Sequence, residues 1–360
     1  EAQIAALADA SQGRIGIARL YARRQIDGLA IYSTMSKEQA HIAMAKKILG
    51  ELKDAAKLGM QEMIHGDGSM VKALVGTVHG QDDVTFVSPY GQVNTGQAGL
   101  MLHEGGHYAV LDADNSNAVL GKFVAGAPAN TGDACRITWT TGNIAGMAAG
   151  DKVVPCTDND TAFDSGVQGA MKLLNWGGNY AALDGITHSR HDPRRLTAAN
   201  HSYNGSTPVD MDLWRLFTAV GTFSGVHPQE KPNEFLAITT HGMLEHLANS
   251  FYGGRQWTMS EQVELKGGFK GVRVCGVVVT PDSYTPAGAI ELFHTPSLAY
   301  VDAKDWGAVE YQNSGTWNQI PNRDAYETSI GTYVNISAPR RNTHGLFTGF
   351  TDTLRYTHVA

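Results

Sequence analysis

An extended, arginine-rich ribbon with no core of its own runs straight into one long amphipathic helix, and few folds accommodate that order. Residues 13–35 read Gly-Arg-Ile-Gly-Ile-Ala-Arg-Leu-Tyr-Ala-Arg-Arg-Gln-Ile-Asp-Gly-Leu-Ala-Ile-Tyr-Ser-Thr-Met. Apolar residues alternate loosely, and Asp27-Gly28 supplies a hairpin-turn pair. An isolated hairpin is marginal in water, so this ribbon must lie on something else. Ser36 and Gln39 then make a capping-box pattern. Ile42, Ala45, Leu49, Leu52, Ala56 and Met63 recur at three- and four-residue spacing, which predicts one apolar face. The helix is expected to run to about Ile64, a length of about 40 Å at 1.5 Å per residue. Gly50 and Gly59 weaken it without ending it, and His65-Gly-Asp-Gly-Ser69 ends it. The Ala-rich residues 1–12 read as an arm.

Beyond the helix the pattern turns to β. Short runs at Ala73-Leu-Val-Gly-Thr-Val78, Val84-Thr-Phe-Val87, Tyr108-Ala-Val-Leu111, Arg136-Ile-Thr-Trp139 and Lys152-Val-Val-Pro155 are split by Gly, Asn and Asp. From Phe163 the chain is mixed, with helices expected over 165–175, 208–220 and 240–252. The second has Pro208 at its first turn, and Asp210 and Asp212 lie near its positive end. The last third opens on a strand-rich run over 266–280, a turn over 281–288 and a strand at Ala289-Ile-Glu-Leu-Phe293. An aromatic, weakly charged tail follows, carrying Trp306, Tyr311, Trp317, Tyr326 and Tyr333, which suits surface offered to neighbours.

A chain of 360 residues is long for one compact domain, so two lobes are expected. Gly is abundant at 41, implying many turns and close backbone approaches, and charged residues are only 18%, below the usual quarter. A surface so poor in charge suits being covered. The net charge of −7 argues against a dedicated nucleic-acid-binding protein. Cys135, Cys156 and Cys275 show no metal-ligand or Cys-x-x-Cys spacing, and buried thiols in a reducing cytoplasm are expected. No stretch reaches the ~18 apolar residues of a membrane span, and no signal-peptide pattern is present.

His103-Glu104-Gly-Gly-His107 fits the pattern in which two His one helical turn apart hold zinc and the Glu activates water. That chemistry needs a helix, and Gly105-Gly106 costs one about 2 kcal/mol relative to Ala. A turn between short strands is the competing reading. The basic run Thr187-His188-Ser-Arg190-His191-Asp-Pro-Arg194-Arg195 is either a phosphate site or a polar loop held by salt bridges, and the loop is favoured because no Gly-rich cradle accompanies it. Asp158-Asn-Asp160 begins like a calcium loop but lacks the Gly and the distal Glu. His241 and His246 are five apart, off-face for a shared metal.

The order of these pieces resembles the major capsid proteins of tailed bacteriophages, with the Hong Kong 97-like fold. Ile64-His-Gly-Asp-Gly-Ser69 followed by Val75-Gly-Thr-Val78 is similar to that family's exit from its spine helix. Gly146-Met-Ala-Ala-Gly-Asp151 resembles its recurring strand entry. Asp164-Ser-Gly-Val-Gln-Gly169 and Asp184-Gly-Ile-Thr-His-Ser-Arg190 resemble the run that opens its axial region. Phe235-Leu-Ala-Ile-Thr-Thr-His-Gly-Met-Leu244 resembles its axial strand and helix, and 281–298 its late strand pair. The resemblance spans nearly the whole chain; each motif is weak, and their order is the strong part.

The resemblance implies an α+β fold divided into an N-terminal arm (1–12), an extended E-loop (13–35), a spine helix (36–65), a peripheral β region (66–160), an axial domain (161–298) and a return to the periphery (299–360). The β segment at roughly 80–150 departs from the family as an enlarged or inserted piece. The implied function is structural: a non-enzymatic subunit of an icosahedral shell, self-assembling into pentamers and hexamers that enclose double-stranded DNA. The implied partners are copies of itself, scaffolding, portal and decoration proteins, and packaged DNA through weak non-specific contact. The implied place is the virion capsid, assembled in the host cytoplasm, with no cofactor, metal or membrane. A zinc metallopeptidase using His103, Glu104 and His107 is the alternative. In self-ligating members of the family an E-loop Lys attacks an Asn of a neighbour. Here 13–35 carries Arg14, Arg19, Arg23 and Arg24 and no Lys, so Asn335 and Asn342 would have no such partner.

Overall fold

The computed structural model describes residues 18–27, 38–91, 96–131, 134–139, 144–156, 161–175, 180, 191–252, 262–264, 270–308, 318–320 and 324–352. The first strand, β1 (Ala18–Asp27), does not fold back on a following strand within these residues. It pairs antiparallel with a strand near the other end of the chain, Ala18 opposite Val334 and Asp27 opposite Ala325. Past Asp27, the hairpin turn expected at Asp27-Gly28 and its second half lie outside the described residues.

Helix α1 (Glu38–Ile64) runs 27 residues, close to the expected span. The capping-box position Ser36 is outside the described residues, as are the side chains of Ile42 and Ala45. The buried stripe is Ile48, Leu52 and Ala56, continuing through the partly buried Met60 and Met63. Leu49, expected in the core, is 37% exposed. Steps of four residues from Ile48 keep to one line along the helix, and Leu49 stands about 100° round from Ile48. The expected stripe held Leu49 and not Ile48, and the packed face follows the line Ile48, Leu52 and Ala56 instead.

After the helix come β2 (Ala73–Val78), β3 (Asp83–Val87), the short α2 (Ala98–Met101), β4 (His107–Asp112), β5 (Ala118–Val124), β6 (Pro128–Thr131), β7 (Ala134–Thr138) and β8 (Lys152–Pro155). The five expected strands are present, and β5 and β6 are additional. They form one antiparallel seven-stranded sheet in the order β5-β4-β8-β2-β3-β7-β6. Its own core gathers Val75, Phe86, Tyr108, Phe123, Ile137 and Trp139, with Phe123 and Trp139 ring centroids 4.6 Å apart. Cys135 is buried in this core, and burial pushes its thiol up to about 12. Asp151 locks the entry to β8: its carboxylate accepts from the Ala148 and Ala113 amides at 2.7 and 3.1 Å.

The second lobe follows. It contains α3 (Ala170–Leu174), β9 (Arg194–Thr197), α4 (Ala198–His201), α5 (Asp210–Ser224), β10 (Phe235–Thr239), α6 (His241–Tyr252), β11 (Gln262–Glu264), β12 (Lys270–Val274), β13 (Val277–Pro281) and β14 (Ile290–His294). The helix expected over 165–175 shrinks to five residues. Asp164 has a positive φ, and a Cβ on Gly169 would sit 2.2 Å from the Ile64 carbonyl oxygen, so the segment before α3 is held tight against the end of α1. Helix α5 starts where Asp212, fully buried, accepts hydrogen bonds from the Val209 and Tyr203 amides at 2.9 and 2.8 Å. Cys275 and Gly276 both take positive φ in the β12–β13 hairpin turn, which leaves Cys275 exposed rather than buried as expected.

The expected return of 299–360 to one region divides in two. Strands β15 (Ala299–Ala308), β16 (Asn318–Gln319) and β17 (Ala325–Ser337) build a four-stranded sheet with β1, in which β1 and β15 flank β17. Strand β18 (Gly345–Thr348) instead joins the second lobe, in the order β11-β12-β13-β10-β14-β18-β9. Arg341 secures that crossing, since its guanidinium donates to the Leu173 carbonyl and to Asp192. Ala18 and Val334 pack with Val167, Met60 and Met63, so the small sheet carries the C-terminal half of α1.

Candidate functional site

The zinc pattern does not form. Residues 103–106 make a turn in which Gly105 takes a φ of 76°, and His107 opens β4 and is exposed. Two His one helical turn apart require a helix, and the Gly pair supplies a turn instead. His103 is engaged elsewhere: its Nε2 lies 2.9 Å from Glu62 Oε1. Among the described residues no group of three His, Cys, Asp or Glu side chains is placed to hold a metal. Asp158, Asp160, His188 and Arg190 lie outside the described residues. His241 and His246 are both on α6. Of the rest of the basic run, Asp192 is buried and pairs with Arg341 at 3.3 Å, while Arg194 and Arg195 stand on β9.

The densest arrangement of buried polar groups lies at the C-terminal end of α1, where the helix meets both lobes. Glu62, 7% exposed on the last turn, takes the Lys72 ammonium from the start of the first lobe and His103 from its α2–β4 turn. Burial raises the Glu62 carboxyl, but the hydrogen bond from His103 and the Lys72 charge outweigh it and hold it below the usual range. His65, three residues on, turns to the second lobe. Its Nδ1 is 2.9 Å from Glu291 Oε2 in β14, and its Nε2 is 3.6 Å from Asp282 Oδ2. Burial disfavours the charged ring, yet the Glu291 charge and the hydrogen bonds the ring donates to both carboxylates overcome it and lift His65 to about 10. Glu291 is fully buried and its Oε1 has no hydrogen-bond partner, so the imidazolium is what holds that carboxylate.

The turn after β13 is gripped from the first lobe as well. Gln97, 1% exposed, donates from Nε2 to the Ser283 and Thr285 carbonyls at 2.9 and 2.6 Å and accepts from the Ala287 amide at 3.1 Å. Gly91 lies so close to this turn that a Cβ there would sit 2.4 Å from the Ala287 carbonyl oxygen. Gln61 donates to Asp282 at 3.1 Å. The cleft lined by Glu62, His65, Lys72 and Gln97 has a volume of only about 40 Å³, room for a water or two. The charges are matched to one another, and the arrangement fixes both lobes on one helix end.

A second polar array lies in the second lobe. His294 Nδ1 is 2.6 Å from the Ser297 hydroxyl, and its Nε2 is 3.2 Å from Glu234. Ser297 and His294 are both buried, so the array braces the turn after β14 against the residues before β10. Sequence reading passed over Glu62, His65, Gln97, Asp282 and Glu291. The available signal was slight: Glu62 is a charged residue next to the apolar stripe of α1, and Glu291 is an acid inside an otherwise apolar strand.

No family model and no curated protein matches this sequence. Solved structures do resemble the fold. The SrpI encapsulin of Synechococcus elongatus is 11% identical with a TM-score of 0.33, covering 46% of this chain and 56% of that one. The capsid asymmetric unit of cyanophage A-1(L) is 15% identical with a TM-score of 0.40, covering 53% and 61%. The procapsid of satellite phage P4, solved with its size-determination protein, is 9% identical with a TM-score of 0.41, covering 95% and 74%. The match therefore spans 56% and 61% of the encapsulin and cyanophage chains. At scores this low a likeness carries no argument about function.

Proposed function

We propose that this chain is the major capsid subunit of a tailed bacteriophage, a structural protein that self-assembles into the pentamers and hexamers of an icosahedral shell around double-stranded DNA. The observation that carries the reading is the architecture around α1. A 27-residue helix lies on a thin sheet closed by β1 and β17, the two ends of the chain, and both lobes are tied to its far end. The buried polar groups at that helix end fix lobe to lobe, which suits a shell subunit. Exposed apolar side chains across both lobes and the small sheet, among them Val119, Trp214, Phe223 and Tyr300, suit a surface that neighbours cover.

In this reading 1–12 is the arm, 13–35 the E-loop, α1 the spine, and the β2–β8 sheet an enlarged peripheral region. Residues 161–298 together with β18 make the axial domain, and β15–β17 return to the spine. Scaffolding, portal and decoration proteins are the further partners, with assembly in the host cytoplasm. The mildly acidic chain encloses DNA through weak non-specific contact and does not grip it. Expression of the full chain followed by negative-stain electron microscopy tests the proposal: closed shells or capsomer rings are expected, and a monodisperse monomer at high concentration refutes it. Assembled particles run on a denaturing gel should give a single 38.6 kDa band, since 13–35 offers no Lys for a cross-link. A ladder that survives boiling in reductant contradicts that part.

A further inference from the structure

A groove of about 570 Å³ lies between β9 and α5 on the second lobe. Three arginines line it, Arg194, Arg195 and Arg215, and no Asp or Glu does. Two of the guanidinium groups are stacked on rings. Arg194 lies over Phe223, and Arg215 lies 4.1 Å from the Tyr203 ring centroid while donating to the His201 carbonyl. The Arg194 Nε is buried with no hydrogen-bond partner. Tyr203, Trp214 and Phe223 are nevertheless 49%, 42% and 50% exposed. Guanidinium groups held on aromatic faces beside an open indole make up the residue set that dominates protein–protein hot spots. Along one wall runs β9, the terminal strand of its sheet among the described residues.

We infer that this groove seats an acidic, partly apolar surface of a second copy of the chain. The charge balance favours that occupant: 35 Asp and Glu stand against 28 Lys and Arg, so a neighbouring copy presents excess carboxylate to an arginine site that has none. The described surface also offers a patch of matching chemistry. Tyr300, 53% accessible, and the exposed Asp302 are two residues apart and share one face of their strand. They lie on β15, the terminal strand of the small sheet among the described residues. A basic aromatic groove on one lobe meeting an acidic apolar strand on another part of the next copy is a heterologous contact, the kind that builds rings. Duplex DNA is the weaker fit, because its bases are stacked and cannot use the indole face. The inference rests on the self-assembly reading and adds where one contact lies and what chemistry it uses.

The test uses the full chain and Arg195→Glu and Trp214→Ala variants, with self-association followed by analytical ultracentrifugation and particles counted by electron microscopy. Far-UV circular dichroism checks that each variant is folded. Each substitution should weaken self-association by about tenfold or more, and added salt should weaken the parent further. Asp302→Arg in the Arg195→Glu background should restore it. Groove variants that associate like the parent overturn the inference while leaving the shell reading intact. So does a groove whose substitution abolishes binding of a fluorescent oligonucleotide and leaves association unchanged. A parent chain that stays monomeric at all concentrations overturns both. A parent that forms only oligomers short of a five- or six-membered ring refutes the shell reading, and their dependence on Arg195 then decides the groove.

Discussion

Replacing His65 with Ala should unbalance the helix junction more than any other single change there. The ring is 4% exposed and is the charge partner of Glu291, which is fully buried and has its other oxygen unpartnered. Removing one member of a buried pair leaves an uncompensated charge and costs about 3–5 kcal/mol. The loss depends on pH. His65 titrates at about 10 in the fold against an ordinary 6.5, so its contribution is fully present below pH 6.5 and is lost as pH rises towards 10. One proton gives a slope of about 1.4 kcal/mol per pH unit. Urea unfolding followed by circular dichroism at pH 6, 8 and 10 should show His65→Ala far less stable than the parent at pH 6, with the gap narrowing by pH 10. The double variant His65→Ala, Glu291→Gln should recover part of the loss at pH 6, because the buried charge is gone. A deficit under about 1 kcal/mol at pH 6, or a gap that does not change with pH, would refute the argument that a buried imidazolium holds Glu291.

Two further substitutions probe the frame. Leu52→Ala should cost about 2–5 kcal/mol as a core cavity, while Leu49→Ala, on the exposed side of α1, should stay within about 0.5 kcal/mol; equal costs in chemical unfolding would put the packed face elsewhere. Gly169→Ala should destabilise the start of α3 by about 1–3 kcal/mol, because Gly169 is the extended residue before the helix and its Cβ would meet the Ile64 carbonyl at 2.2 Å. A raised melting temperature would show that the helix end yields.

Local chemistry made the regular elements legible in the sequence. The extent of α1, the five strand runs of the first lobe and the strand-then-helix at Phe235–Thr239 and His241–Tyr252 all formed, although the buried face of α1 takes Ile48 in place of the expected Leu49. Three features were hidden because they depend on partners far away in the chain. The pairing of β1 is set by β17, which no local pattern announces. The choice of Ile48 over Leu49 is made by the sheet beneath the helix. Glu62 and His65 look like ordinary polar residues near a helix end until Lys72, His103, Asp282 and Glu291 arrive around them. Gly105-Gly106 was the exception: two glycines in a catalytic-looking motif already argued for a turn, and a turn formed.

The pairing of β1 with β17 also constrains the order in which the protein can be made. At a synthesis rate of ~5–20 residues per second, the roughly 300 residues between these strands take about 15–60 s to emerge from the ribosome. Throughout that interval the first strand has no mate, and the apolar stripe of α1 has no floor. Both lobes have cores built from residues within or near themselves and can close meanwhile, though the second must wait for β18. The nascent subunit therefore spends much of its synthesis with a finished β lobe and an orphan strand that any open sheet edge nearby could capture. Crowding of such chains on one messenger would favour swapped strands, and a chaperone that shields the first forty residues would raise yield more than one that binds either lobe.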